Sequence, residues 1–392
     1  MKSMHSIRTI LVKELREFVR DKRTLLLALV LGPLITPAIM LGILTLAESR
    51  AKSQIEKPLE VAMVGVEHAP NLVKWLAGQG IRRKAFDGDL DTAIRTQAED
   101  VYLRIGEDFE KDWREGSPAL VEIVHDSTRQ DSDIPVRRIE AALTLYGQQV
   151  GALRLLARGM NPSVAAPLAV AHKDLSTPEA RRGMVMAFLP YLLILSAFIG
   201  GAYLIIDATA GERERQSLEP LLATPAHRGA VVTGKILAAC LVGGASLLLT
   251  LIAFKIGAAF SPGIGRNMDV SMPAIAKMLL ILVPMLFVGT SLLTFIAAGA
   301  KSVKEAQSYM SVLMLLPMIP TIALMVSPVK NQLWMFAVPF LAQNQALMKV
   351  VRGETMEPMQ WVVYLVAGFG LALVLWLAAT QRYKQERLAI SA

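Results

Sequence analysis

Hydrophobic and polar positions along this chain fall into two regimes. Six stretches, at about 24–47, 184–206, 236–254, 278–300, 309–327 and 361–380, are apolar on every face and carry no charge across their centres. Between the first and second, residues 48–183 alternate short apolar runs with polar ones, as a water-soluble domain does. Each long stretch meets the roughly 20 residues needed to cross a ~30 Å hydrocarbon layer as a helix. Lipid offers no partner to a backbone N–H or C=O, which selects helices over open strands. Helices of a soluble fold keep a polar face, so burial in a soluble core does not account for six such runs.

Lys and Arg are distributed unevenly about these stretches. Lys2, Arg8, Lys13, Arg16, Arg20, Lys22 and Arg23 precede the first; Arg382, Lys384 and Arg387 follow the last. Arg213, Arg215, Arg228 and Lys235 follow the second, and Lys301 and Lys304 the fourth. The short connections on the other side carry Arg266, Lys330, Lys349 and Arg352, with Lys255 and Lys277 at span edges. The positive-inside bias places both termini in the cytoplasm and the 48–183 insertion outside it. The first run, over 20 residues long with no A-x-A-like site where the polar region begins at Glu48, reads as a retained anchor and not a cleaved signal. The expected fold is therefore membrane all-α, six transmembrane helices, with an extracytoplasmic α/β (or α+β) domain between the first and second.

The formal net charge of +8 follows from this topology. No basic-aromatic array suggests nucleic acid. Cys240 is the only cysteine and falls in the third run, which excludes intrachain disulfides and cysteine-based metal sites. His68, His125 and His172 show no ligand spacing. Asp126, Asp131 and Asp133 lack the glycine and closing glutamate of a calcium loop.

Residues 1–23 form a predicted interfacial helix: Ile7, Ile10, Leu11, Leu15, Phe18 and Val19 recur at spacings of three and four, with Arg8, Lys13, Arg16, Arg20 and Lys22 on the other faces. Such a helix lies in the headgroup region, basic side toward anionic lipid or a cytoplasmic partner. In the insertion, strands are expected at 59–64, 101–105, 119–124 and 168–171, and helices at 71–77, 89–97, 107–114 and 134–158.

Gly229, Gly234 and Lys235 reproduce part of a phosphate-binding loop, G-x-x-x-x-G-K-[ST], but Ile236 stands where the Mg²⁺-ligating hydroxyl belongs and no apolar strand precedes. Just upstream, within the connection 207–235, the run GERERQSLEPLLATP alternates acids and bases and then turns leucine-rich before its prolines. It predicts a short cytoplasmic helix between two spans.

The run GERERQSLEPLLATPAHRGAVVTGK resembles the loop after the second membrane helix in permease subunits of type 2 ABC exporters. The matching positions are Glu212, Arg213, Glu214, Ser217, Leu218, Glu219, Leu221, Leu222, Pro225, Gly234 and Lys235. The basic amphipathic start and six-span core resemble the family too, and the large domain after the first span is most like the sodium-exporter, NatB-like branch. Val338-Pro339-Phe340 through Gln343, Asn344 and Gln345, within 328–360, resembles the family's outer segment that partly re-enters the membrane.

The resemblance implies a transport subunit with no catalysis and no cofactor of its own. ATP and Mg would sit on separate cytoplasmic ATPase subunits, docked at residues 212–222, and a second permease copy or paralogue would complete the assembly in membrane lipid. Sodium efflux is the expected activity; lipid, drug or glycoconjugate export by the same machinery and a membrane sensor are the alternatives. A proton-coupled transporter would need ionisable groups at mid-span, and an intramembrane enzyme a catalytic constellation; neither is present in the apolar runs. A sodium path could use the hydroxyls of Ser196, Thr290, Ser291 and Thr294. Residues 381–392 form the expected cytoplasmic tail.

The charge bias yields a test of topology. With Cys240 replaced by Ala, single cysteines at Asp89, Gln216 and Ser302 are expected to react with an impermeant thiol reagent on intact cells at position 89 only. Labelling at 216 overturns the orientation.

Overall fold

The computed structural model describes residues 2–86, 88–165, 168, 171, 173–174, 177, 186–218, 220, 224, 226–261, 270–326 and 332–384. Two compact units emerge: Met1–Thr45 together with Leu175–Ala392, and Leu46–Asp174.

In the larger unit the helix Lys2–Arg20 leads to Asp21, whose carboxylate accepts from the amides of Arg23 and Thr24 at 3.1 and 3.2 Å and caps the next helix. Among the described residues six helices are long and apolar enough to cross a membrane: Lys22–Arg50, Leu189–Glu214, Arg228–Phe260, Met272–Ala297, Val303–Leu324 and Pro358–Lys384. They overlap the six apolar runs, and the first, third and sixth extend past theirs at both ends, because the charged flanks stay helical. Two carry π turns, Leu27–Leu31 in the first and Asp207–Gly211 near the end of the second. The fifth is interrupted between Val303–Leu313 and Met318–Val326, where Pro317 removes a backbone donor.

The second, third and fourth spans cross with their backbones in contact, which only small residues permit. The second is broken at Gly200 and Gly201; a Cβ on Gly201 would lie 2.5 Å from the Ala239 carbonyl oxygen of the third span. One on Gly289, in the fourth, would collide with the Phe198 carbonyl oxygen. At the end of the bundle away from the termini, the 3₁₀ turn Leu333–Ala337 and the helix Leu341–Val351 pack on the second, fourth and sixth spans. They are joined through Phe340 at φ 65 and ψ −43, a tight turn closed by the Leu341 amide donating to Pro339 O at 2.8 Å. A bulky residue there is strained by about 1–3 kcal/mol; the Phe340 ring meets Phe198 edge-on at 5.4 Å, which holds it in place.

The smaller unit is α/β. Its strands β1 (Leu59–Val64), β2 (Ile81–Lys84), β3 (Val101–Ile105) and β4 (Val121–His125) run in the order β2-β1-β3-β4. β1 pairs in parallel with β2 and β3, and β3 antiparallel with β4. Val61, Leu103, Leu76 and Ile139 are the buried centre of one face, covered by the helices Pro70–Gly78 and Gln130–Ala157. Tyr146 stacks on Trp113 at 5.6 Å and meets Trp75 at a tilt at 5.2 Å, which fastens the long helix. On the other face Tyr102 is buried with Ala62 and Ile94; burial pushes its phenol up to about 12, and its hydroxyl donates to Asp91. β2 was not expected from sequence: Ile81-Arg82-Arg83-Lys84 is four residues long, three of them exposed and basic, on a sheet edge. The strand expected at 168–171 is not formed at Leu168 or Ala171, and its other two residues lie outside the described set.

The backbone crossing makes a prediction. Gly289→Ala drives a Cβ into the Phe198 carbonyl and is expected to cost about 1–3 kcal/mol, read as a lower thermal midpoint of the detergent-solubilised chain. Gly244→Ala, whose Cβ meets only Leu286 at 3.7 Å, should leave the midpoint unchanged. Equal midpoints for both variants would show that the contact carries no energy.

Candidate functional site

A charged side chain occupies the most protected position at the termini-bearing end of the bundle. Lys235 lies in the third span and is 0% exposed. Its ammonium donates to Glu14 Oε1 at 3.0 Å, Glu212 Oε2 at 2.7 Å and the Ala208 carbonyl at 2.5 Å. Lys13 donates to Glu212 Oε1 at 2.5 Å and Glu14 Oε1 at 3.2 Å, and reaches Glu17 Oε2 at 3.3 Å. Two buried carboxylates thus meet two ammonium groups, a neutral cluster in which every charged atom named has a partner, as desolvation demands. Burial tends to lower the Lys13 pKa, but the hydrogen bond and charge of Glu212, with Glu14 and Glu17, outweigh it and hold the ammonium well above its ordinary range.

Local structure explains each contribution. The amphipathic periodicity of the N-terminal helix puts Ile10, Glu14 and Phe18 on one buried stripe, so Glu14 is an acid set into an apolar face. That stripe packs on the third span at Gly234, where a Cβ would lie 2.8 Å from two Ile10 carbons. Gly234 and Lys235 therefore serve helix contact and charge pairing, which explains the incomplete phosphate-loop motif. The π turn Asp207–Gly211 frees the Ala208 carbonyl for Lys235 and turns Glu212 inward. Thr209 in the same turn bonds the Tyr383 hydroxyl of the sixth span at 3.1 Å.

The residues after Glu212 extend this wiring. Arg213 donates to Ala300 O at 3.1 Å, at the end of the fourth span, and Glu214 accepts from the Val303 amide at 2.9 Å, at the start of the fifth. Three consecutive side chains thus tie the end of the second span to four other elements. Glu212, expected in the docking and coupling loop, has a buried carboxylate that Lys13 and Lys235 engage. Arg213 is half-buried, Glu214 and Ser217 are exposed, and Ser217 Oγ donates back to Glu212 O at 3.2 Å. Leu218 is buried; Glu219, Leu221, Leu222 and Pro225 lie outside the described residues. In the N-terminal helix Ile7, Leu11 and Leu15 are half-buried, Phe18 buried, and Arg16 and Arg20 exposed. Its apolar side is turned to protein.

The candidate path residues are not brought together by free hydroxyls. Thr290 donates to Leu286 O at 2.7 Å and Thr294 to Thr290 O at 2.6 Å, within their own helix; Thr290 also contacts Cys240 Sγ at 3.2 Å. Ser291 is buried and Ser196 half-buried. Glu14, Glu17 and Glu212 bring carboxylate oxygens within 4.8 Å of one another, close enough for a metal ion, but Lys13 and Lys235 between them already form ion pairs with all three. The adjoining cleft of about 250 Å³ has its acids satisfied likewise, Glu17 by Lys13, Asp21 by Thr24 and Asp207 by Arg215 at 3.0 Å.

Comparison with known proteins adds three findings. The family described as ABC-2 family transporter protein matches residues 8–388. The ABC transporter permease protein NatB of Bacillus subtilis (strain 168) is 30% identical over 342 residues, 84% of this chain and 85% of that one. No solved structure matches significantly.

The cluster predicts strong coupling. Lys235→Ala leaves buried carboxylates uncompensated and is expected to destabilise by about 3–5 kcal/mol. In a double-mutant cycle, Glu14→Gln with Lys235→Met should show a coupling energy of ~0.5–3 kcal/mol, measured by thermal or chemical denaturation in detergent. Strict additivity would mean that the bonds do not act together.

Proposed function

The chain belongs to the ABC-2 transporter family, as the membrane-spanning permease subunit of an ABC transporter, and we propose that it exports cargo, sodium in the first place, using ATP hydrolysed by separate cytoplasmic subunits. The observation that carries this reading is the wiring of residues 212–214. A displacement delivered to the exposed turn after Glu214 reaches the N-terminal helix and the third span through Glu212, the fourth through Arg213 and the fifth through Glu214. An ATPase pair that closes on ATP would bias these spans between two arrangements by binding one better than the other. Arg215, Gln216 and Ser217, all exposed, are the proposed contact, in place of Glu212.

In this reading the termini face the cytoplasm of a bacterial cell and the α/β unit lies outside. A second copy or a paralogue completes the assembly, since closed two-fold pairing is the commonest arrangement. The hydroxyls of Thr290 and Thr294 are engaged with their own helix backbone, which favours a path between two copies over one through a single chain. Sodium rests on the sequence likeness to the sodium-exporter branch; lipid, drug or glycoconjugate cargo is the second reading.

Reconstitution with the ATPase partner in sodium-loaded vesicles tests both levels. Sodium is expected to stimulate ATP hydrolysis and to leave the cytoplasmic-side compartment only when ATP is present. Transport by the permease alone on a proton gradient overturns the ATP-driven reading. Hydrolysis indifferent to sodium but raised by an amphipathic compound, with no sodium flux, replaces the sodium reading by the second. Charge reversal at Arg215 with Gln216→Glu should weaken recovery of the ATPase without reducing membrane insertion; unchanged recovery removes these residues from the contact.

A further inference from the structure

Arg382, near the end of the sixth span, is held with most of its donors unused. Its guanidinium lies over the Phe295 ring at 4.7 Å, and Nη1 donates to Phe295 O at 3.3 Å. Gly299 makes room for it: a Cβ there would collide with Nη2. No carboxylate pairs with Arg382 among the described residues, and Nη2 and Nε have no hydrogen-bond partner among them. Beside the guanidinium a cleft of about 330 Å³ is lined by Ile296, Gly299, Tyr309, Val312, Leu313 and Arg382, mostly apolar, with Val312 66% exposed. Tyr309 is half-exposed, and its hydroxyl donates to Glu305 Oε1 at 3.2 Å; that carboxylate also accepts from the Lys301 amide at 2.7 Å. Lys301, Lys304 and Lys384 stand exposed around the same end of the bundle, without ion pairs among the described residues.

A guanidinium without a carboxylate partner among the described residues, fixed on an aromatic ring above an apolar trough with tyrosine and lysines at the rim, is matched by a molecule with an anionic oxygen cluster on one end and hydrocarbon on the other. We propose that this cleft binds one anionic phospholipid from the leaflet at the termini-bearing end. Its phosphate takes the free Nη2–H and Nε–H of Arg382, in the planar two-point geometry that a guanidinium offers a phosphate. An acyl chain lies along Val312 and Leu313. The headgroup depth agrees with the interfacial preference of Tyr and the snorkelling of Lys and Arg. A second copy of this chain is a poorer match, because an isologous contact presents the same face twice and the six cleft residues include no carboxylate.

The full chain, purified in detergent and exchanged with either phosphatidylglycerol or phosphatidylcholine, is the material for the test, with retained lipid counted by native mass spectrometry. The wild type is expected to hold phosphatidylglycerol over phosphatidylcholine by roughly fivefold, the factor one basic side chain contributes near an anionic surface. Arg382→Gln should remove that preference and Arg382→Lys keep part of it. Val312→Trp, which fills the trough and leaves the charge in place, should reduce retention of the lipid, and it carries the test if Arg382→Gln does not fold. Equal retention of phosphatidylglycerol by the wild type, Arg382→Gln and Val312→Trp overturns the proposal. Displacement of the lipid by millimolar inorganic phosphate assigns the site to a free anion and overturns it as well. A disulfide between copies formed by Val312→Cys in a Cys240→Ala background means that the face is covered by protein, and has the same consequence.

Discussion

Removing an ammonium group from water is among the most expensive steps in folding this chain, and the arrangement around Lys235 follows from it. The lysine is fully buried, so its charge must be matched at short range by groups that are themselves buried. They come from the N-terminal helix, the end of the second span and a carbonyl exposed by a π turn. Each requirement constrains sequence elsewhere. Gly234 lets the N-terminal helix approach closely enough for Glu14 to reach, and Lys13 supplies the second positive charge that Glu212 would otherwise lack. A cluster of this kind adds little net stability over a well-packed apolar one, but it is costly to break in part. That asymmetry suits a joint whose members are to move together.

The spans themselves rest on a different principle. Where the second, third and fourth cross, polar partners are few and the contact is made by backbone against backbone at Gly201, Gly243 and Gly289. The bundle is thus tight and apolar at this crossing and charged at the end that carries the termini. Span surfaces outside these contacts show large exposed apolar side chains, such as Ile319 and Val366, which suits a hydrocarbon surround or a second permease copy.

Much of this was legible in the sequence because the strongest signal, an unbroken apolar run, depends on composition alone. The six runs, the parallel strands β1 and β3 and the long helix of the α/β unit fall close to where periodicity places them. What escaped was set by geometry that sequence spacing does not carry. β2 is a four-residue basic edge strand, recognised only through its pairing with β1. The burial of Glu212 is not visible in the alternating charges of its run; the π turn ahead of it inserts a residue and rotates the rest of the helix by about 100°. Glu14 did leave a trace, an acid three and four residues from Leu11, Ile10 and Phe18, in the centre of an apolar stripe. An isolated charge in such a place calls for a partner, and Lys235, next to a glycine at the head of an apolar span, was the complementary anomaly.

The separation of the cluster in the chain has a consequence for biogenesis. Glu14 and Lys235 are 221 residues apart, so the acid leaves the ribosome long before its partner exists. Until the third span is inserted, Glu14 has only Lys13 and water to answer its charge, and the N-terminal helix lacks the surface at Gly234 on which its buried stripe packs. Arrival of Lys235 completes the pairing and fixes the N-terminal helix at once. A chain halted before that point, or one whose third span fails to insert, displays an incompletely paired acid and an uncovered apolar stripe on the N-terminal helix. The cell's membrane proteases would meet an unfinished molecule that is chemically distinct from a finished one.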